Sequence, residues 1–301
     1  MKKTLFAALL AFGCSGSIFA QDITTQDYTV QNGDISLPGT FLMPGSKDVP
    51  IVVFVHGSGP NDRDETLGPN KVFKQMAEGL YEFGIGSLRY DKRTMLYKQG
   101  SDTLTYYGET IIDAAEAARQ LHSQGFKHIY IAGHSLGGHV APLIAKEAKG
   151  AIDGIIILSG NVNSIDKAME SQLKYIGKKQ GATDEQINQI VRQILSALPH
   201  RYLEFAQSYK PLDTLRQVLA DQPTLRWMVV QGGHDYQVTI VDYTMWQMTL
   251  GGKATFYYGE SLDHIYRPLP EMATPESYLQ PGTMDKNLIK AIADFIKTQS
   301  K

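Results

Sequence analysis

Cysteine is almost missing from this chain: Cys14 is the single example, which excludes an internal disulfide framework. An excess of one charge is missing too. Lysines and arginines number 29 against 31 aspartates and glutamates, a net charge of −2, and no basic surface for nucleic acid is expected. The chain lacks like-charge tails, low-complexity tracts and internal repeats. It also lacks metal-ligand spacings and a phosphate-binding glycine loop, so neither a metal nor a cofactor is expected.

A membrane-spanning run is lacking as well. The apolar stretch Leu5–Phe12 is too short and wrongly flanked for one. It follows Lys2 and Lys3 and leads through small residues to Phe19-Ala20, the layout of a secretory signal peptide over residues 1–20. Export to the periplasm or the medium is therefore expected, with cleavage after Ala20 and no transmembrane segment in the mature chain. Ile18 is bulkier than is usual at the third residue before such a cut. Phe12 stands where a lipoprotein signal requires a small residue, which makes acylation of Cys14 the weaker alternative. Without Cys14 the mature protein has no thiol and must rely on its core. A composition of 43% hydrophobic residues permits that.

Beyond the leader, apolar β-branched runs alternate with segments of helical period. That alternation argues for an α/β fold, a mostly parallel sheet flanked by helices. Strands are expected at Ile51–Val55, around Ile85–Tyr90, and at Ile129–Ala132, Ile155–Leu158, Trp227–Val230 and Ala254–Tyr258. Helices are expected near Val72–Phe83, Ile111–Leu121, after Ser135, near Val241–Thr249 and around Leu288–Ile296. Before Pro50 the pattern reads as an antiparallel hairpin at the sheet edge, with Gly33 and Gly39 as turn residues. Pro142, seven residues beyond Ser135, reads as a kink in the helix there.

The alternation stops between Gly160 and Leu225. A helix reads from Asn163 to Ile176; Thr183 and Gln186 then form a capping box ahead of Ile187, Ile190, Val191, Ile194, Leu195 and Leu198. The expected organisation is a core from 21–160 and 223–301 with residues 161–222 as a helical lid after the sixth strand. Leu173, Ile176, Leu195 and Leu198 are its candidates to close over substrate. Packing remote from the site is the alternative reading.

Gly133-His134-Ser135-Leu136-Gly137 fits the G-x-S-x-G nucleophile elbow, in which glycines allow a turn so sharp that the serine is held out of the sheet. A strand precedes it and a helix follows, the context the motif needs. A serine hydroxyl requires a base. Among the eight histidines, His264 stands on the loop after the last strand, where that base is delivered. The base requires a buried acid to fix its tautomer. Asp235 follows the strand Trp227–Val230 and is preferred over Asp242 and Glu260. The oxyanion requires two backbone N–H groups. Leu136 is expected to supply one and Ser58, in His56-Gly57-Ser58-Gly59, the other; the Ser58 hydroxyl is expected to be a spectator or turn stabiliser.

Together His56–Glu65, Arg89–Arg93, Gly133–Gly138, Gln231–Val238 and Asp263-His264 resemble one group of bacterial α/β-hydrolases, similar to serine-aminopeptidase-like and dienelactone-hydrolase-like proteins. The resemblance implies the α/β-hydrolase fold, a Ser135–Asp235–His264 triad, an acyl-enzyme mechanism and carboxylesterase activity on a small-molecule ester. The charged clusters Asn61–Glu65 and Arg89–Arg93 read as an ion-pair brace, with direct contact to a polar substrate as the alternative. Two other functions stand beside the esterase: a peptidase cutting amides, and a non-catalytic binding protein on the same fold.

Overall fold

The apolar runs form the middle of one sheet because every side chain in them has somewhere buried to go. The computed structural model describes residues 24–43, 45–97, 107–198 and 200–298. The expected signal peptide and Cys14 lie outside the described residues. Among these, eight strands share a sheet: β1 (Thr25–Asn32), β2 (Ile35–Leu42), β3 (Ile51–Val55), β4 (Gly86–Tyr90), β5 (Ile129–His134), β6 (Gly154–Leu158), β7 (Arg226–Gly232) and β8 (Ala254–Gly259). Their order is β1-β2-β4-β3-β5-β6-β7-β8. β1–β2 and β2–β4 pair antiparallel, and every other neighbour is parallel.

Side chains alternate across a strand, so one run feeds two cores. Ile51, Val53 and Val55, with Ile129, Ile131, Ile155, Ile157, Trp227 and Val229, pack on one face. Val52, Phe54, Tyr130, Ala132, Ile156, Leu158, Met228 and Val230 pack on the other. The crossovers carry α1 (Val72–Tyr81), α2 (Asp113–Ser123), α3 (Leu136–His139), α4 (Ala141–Glu147), α5 (Ile165–Lys179), α6 (Asp184–Ser196), α7 (His200–Ser208), α8 (Pro211–Asp221), α9 (Ile240–Leu250) and α10 (Lys286–Lys297). Helices α2, α4, α8 and α9 cover the first face; α1 and α10 cover the second. In α10 the stripe Leu288, Ile289, Ile292, Phe295 and Ile296 faces inward, and the Asp285 carboxylate caps the helix by accepting from the Leu288 N–H at 2.8 Å.

Two local expectations change. Gly39 is not a turn residue; it pairs with Tyr28 and Tyr90 inside β2. A Cβ there would stand 2.7 Å from the Arg89 carbonyl oxygen, so the glycine permits close strand contact. Gly33 does turn the hairpin, with φ of 57°. Pro142 divides its helix in two rather than bending one: α3 ends at His139, and Pro142 sits in the first turn of α4, where its missing N–H leaves no gap. A π-helical turn, Tyr107–Ile112, leads into α2.

The segment 161–222 holds α5 to α8. The Thr183–Gln186 capping box forms in both directions and starts α6. Helices α7 and α8 carried no signal strong enough to be read. α8 buries Leu215 and Val218 in the core under α4, and Gln222 Nε2 donates to Ala145 O at 2.9 Å. No helix among the described residues is long and apolar enough to cross a membrane.

Candidate active site

The chain leaves β3 toward β4 on one side, while β5 lies on the other. A crevice opens at such a switch point, outside the carboxyl ends of the strands. The loop His56–Gly59 follows β3 into it, and Ser135 follows β5.

Ser135 has φ 53° and ψ −112°, a strained backbone for a residue with a side chain. The neighbouring glycines make the turn possible. A Cβ on Gly133 would lie 2.3 Å from the Gly137 oxygen, and one on Gly137 would lie 2.3 Å from the Val55 oxygen. The Ser135 N–H donates to Leu158 O at 2.8 Å and is thereby occupied. Leu136 opens α3, and an N–H in a first helical turn has no acceptor within its helix.

His264 and Asp235 meet at the edge of the same cleft. The His264 Nδ1–H donates to Asp235 Oδ2 at 2.7 Å, and both residues are buried. That bond fixes the tautomer and leaves Nε2 as the basic nitrogen. Asp235 Oδ1 accepts from the N–H groups of Gln237 (2.8 Å) and Val238 (3.0 Å), and Gln231 Nε2 adds a third donor to Oδ2 at 3.3 Å. A carboxylate held by this many donors is fixed in place. The rival acids stand elsewhere. Asp242 closes the capping box of α9, accepting from the Thr239 N–H at 3.0 Å and from the Val162 N–H at 3.0 Å. Glu260 is exposed.

The loop after β3 is held by buried charge. The Gly57 N–H donates to Glu65 Oε1 at 2.6 Å, while Lys92 Nζ donates to the Gly57 carbonyl at 2.8 Å. Glu65 Oε2 lies 2.8 Å from His134 Nδ1, and His134 Nε2 donates to the His264 carbonyl at 2.9 Å. Burial alone would lower the His134 pKa, but the Glu65 carboxylate outweighs it and holds the imidazole above its usual value. Burial likewise pushes Glu65 up, yet His134, His56 and the Gly57 N–H together bring it below its usual range. Both shifts favour the ionic form of the pair. His56, by contrast, is pulled down to about 4 by burial and donates from Nε2 to Asp62 O.

The two charged clusters grip one another. Arg63 forks onto Asp91, with Nη2 2.8 Å from Oδ2, and Asp64 bridges Arg89 and Lys71. The brace reading describes these contacts, although Asn61 and Glu65 also line the cleft. The cleft has a volume of about 370 Å³. Its apolar wall is Leu67, Val72, Tyr236, Ile265, Tyr278 and Leu279, and the insertion contributes Gln172. Leu173, Ile176, Leu195 and Leu198 are not among its lining residues.

Of the residues expected from sequence, Ser58, Ser135 and His264 line the cleft; Asp235 stands behind His264, bonded to it, and Leu136 follows Ser135 at the start of α3. It missed the Glu65–His134 pair, the burial of Lys92 and the part played by Gln231. All three sat in motifs already singled out, where the Asn61–Glu65 and Arg89–Arg93 clusters read as a brace without showing which charges pair or which are buried.

No family model matches the chain. It is 37% identical over 281 residues to the esterase EstD of Thermotoga maritima, covering 90% of this chain and 67% of EstD. Among solved structures, an esterase from Pyrococcus furiosus superposes with a TM-score of 0.62 at 17% identity, over 91% of each chain. Est1E from Butyrivibrio proteoclasticus gives 0.59 at 17%, over 90% of this chain and 97% of its own. The Pyrococcus horikoshii acylaminoacyl peptidase gives 0.57 at 14%, over 94% of this chain and 43% of that one. These structures share the fold, and a fold that carries esterases and a peptidase does not choose between them. At the level of sequence EstD does: the chain belongs to the α/β-hydrolase superfamily, in its carboxylesterase group.

Proposed function

We propose that the protein is a serine hydrolase that cleaves small carboxylic esters through an acyl-enzyme intermediate. Ser135 Oγ attacks the ester carbonyl while His264 Nε2 takes its proton. Asp235 keeps the imidazole in the reactive tautomer and stabilises the imidazolium. The N–H groups of Leu136 and Ser58 receive the oxyanion. His264 returns the proton to the departing alkoxide, and a water activated in the same way releases the acid. The observation that carries this reading is the 2.7 Å bond from His264 Nδ1 to Asp235, formed in the cleft that holds the strained Ser135. The likeness to EstD, itself an esterase, supports it.

A peptidase that binds a free amino terminus needs an unpaired acid for the ammonium. Among the residues lining the cleft, Glu65 is the one carboxylate, and it is engaged by His134 and the Gly57 N–H. Because Glu65 and His134, the charged groups among the lining residues, engage each other, the cleft suits a neutral substrate. Amide cleavage also demands multipoint grip on the substrate, for which these walls offer little. The volume of about 370 Å³ suits short acyl groups. Each buried methylene contributes about 0.8 kcal/mol only until the space is full. In this reading α5 and α6 act as the lid, with Gln172 reaching the cleft, and the signal peptide exports the enzyme.

The test is one panel of p-nitrophenyl esters and aminoacyl anilides under a single set of conditions. Acyl chains of roughly two to six carbons are expected to be preferred, with anilides at least ~100-fold slower in kcat/KM. Comparable rates on an alanine or proline anilide would replace the esterase with a peptidase.

A further inference from the structure

The cluster Arg89-Tyr90-Asp91-Lys92-Arg93 reads as part of an ion-pair brace, yet Lys92 is only 1% exposed and stands apart from the Arg63–Asp91 and Arg89–Asp64 pairs. A long cation is seldom buried without a partner and a purpose, because its charge must be desolvated. The Lys92 ammonium lies 3.8 Å from the buried Glu109 carboxylate and donates to the Gly57 carbonyl at 2.8 Å. Glu109 in turn accepts from the Tyr202 hydroxyl at 3.4 Å.

The Gly57 carbonyl belongs to the same peptide unit as the Ser58 N–H. No peptide bond among the described residues is cis, so that N–H points opposite to the carbonyl. Lys92 pulls on the carbonyl from the protein interior, which turns the Ser58 N–H away from it, to the side of the cleft. Asn61 Nδ2 supports the hold, lying 3.2 Å from Gly57 O, 3.1 Å from Ser58 O and 3.3 Å from Gly59 O. The preceding peptide unit is fixed from its other end, with the Gly57 N–H on Glu65. The Lys92 N–H closes the arrangement by donating to Asn61 O at 3.0 Å. Gly57 lies against the elbow, since a Cβ on it would stand 3.2 Å from Ser135 Cβ. This geometry explains why the motif after β3 and the motif after β4 occur together in one chain.

We propose that Lys92 is a positioning residue for the oxyanion site: with Asn61 it holds the Gly57 carbonyl, and so presents and polarises the Ser58 N–H toward the developing oxyanion. A donor at the carbonyl end of an amide strengthens the N–H at the other end, because hydrogen bonds in series polarise one another. Preorganisation of this kind acts on the transition state and barely on the ground state. The inference rests on the serine-hydrolase reading above.

The experiment compares wild type, Lys92→Met and Asn61→Ala on a p-nitrophenyl ester. It also measures binding of a trifluoromethyl ketone, which adds the Ser135 oxygen to form an anionic hemiketal, and of the product acid as a ground-state ligand. For Lys92→Met, kcat is expected to fall about 100-fold with KM within about threefold. Affinity for the ketone should fall in proportion to kcat/KM, and affinity for the product should stay within about threefold. Asn61→Ala, on a partly exposed side chain, keeps the test open should Lys92→Met fail to fold; a fall of about 10-fold with the same proportionality is expected. An active wild type whose folded variants keep ketone affinity within twofold, or lose ketone and product affinity alike, overturns the inference alone. A wild type that neither turns over the ester nor binds the ketone overturns the hydrolase reading and the inference with it.

Discussion

His264 and Asp235 stand 29 positions apart in sequence and share a 2.7 Å hydrogen bond between buried side chains. The acid is saturated by backbone donors on its other oxygen, so its lone partner for proton chemistry is the imidazole. Asp235→Asn is therefore expected to lower kcat by roughly 10,000-fold, through the wrong imidazole tautomer. Asp242→Asn should leave kcat within a few-fold while lowering stability by ~1–2 kcal/mol, because Asp242 closes the cap of α9. Steady-state kinetics and denaturant titration of both variants check this. A crippled Asp242→Asn beside an active Asp235→Asn would reverse the assignment.

The role given to Ser58 belongs to its backbone. Its side chain is exposed, and Ser58→Ala is expected to be mild. Ser58→Pro deletes the N–H and should cost ~100–1,000-fold in kcat. Equal damage from both substitutions would assign the work to the hydroxyl.

The Glu65–His134 pair makes stability depend on pH in a particular direction. His134 is held above its ordinary 6.5 in the folded protein, so its contribution is complete below about pH 6.5 and is lost as pH rises through the raised value. Glu65 is held below its ordinary 4.5, so its contribution is present above that pH and is lost as pH falls through the lowered value. Thermal unfolding from pH 4 to pH 9 should thus show an alkaline decline that is absent in His134→Gln. Glu65→Gln, which leaves a buried imidazole uncompensated, should cost about 3–5 kcal/mol. An unchanged alkaline limb in His134→Gln would mean that another group carries it.

The expected leader is tested by intact mass. Protein recovered from a secreting host is expected to begin at Gln21, without lipid. A diacylglycerol-modified Cys14 at the amino terminus would make the enzyme membrane-anchored instead.

Much of this architecture was legible in sequence, for physical reasons. The runs Ile51–Val55 and Ile155–Leu158 are apolar on both faces of the strand, and only a sheet covered on both sides buries them. The elbow was legible because Gly133 and Gly137 are enforced by approaches of 2.3 Å that no side chain tolerates. Asp235 was legible from its place after β7. What stayed hidden depends on burial that local pattern does not encode. Lys92 reads as one more charge of a brace although it is buried, and Gly39 reads as a turn although it lies within a strand. The cleft wall was misplaced for the same reason. The apolar residues of the insertion carry a helical stripe, but Tyr236, from a loop, and Tyr278, from the short 3-10 helix Pro275–Leu279, stand in the wall.

Ester hydrolysis by this site requires that Ser135 form the acyl-enzyme. The measurement is covalent labelling by a fluorophosphonate, followed by intact mass, in wild type and Ser135→Ala, with ester turnover recorded alongside. One adduct on the wild type, no adduct on Ser135→Ala and a loss of kcat on the order of a million-fold are predicted. Labelling or turnover that persists in Ser135→Ala would place the nucleophile elsewhere.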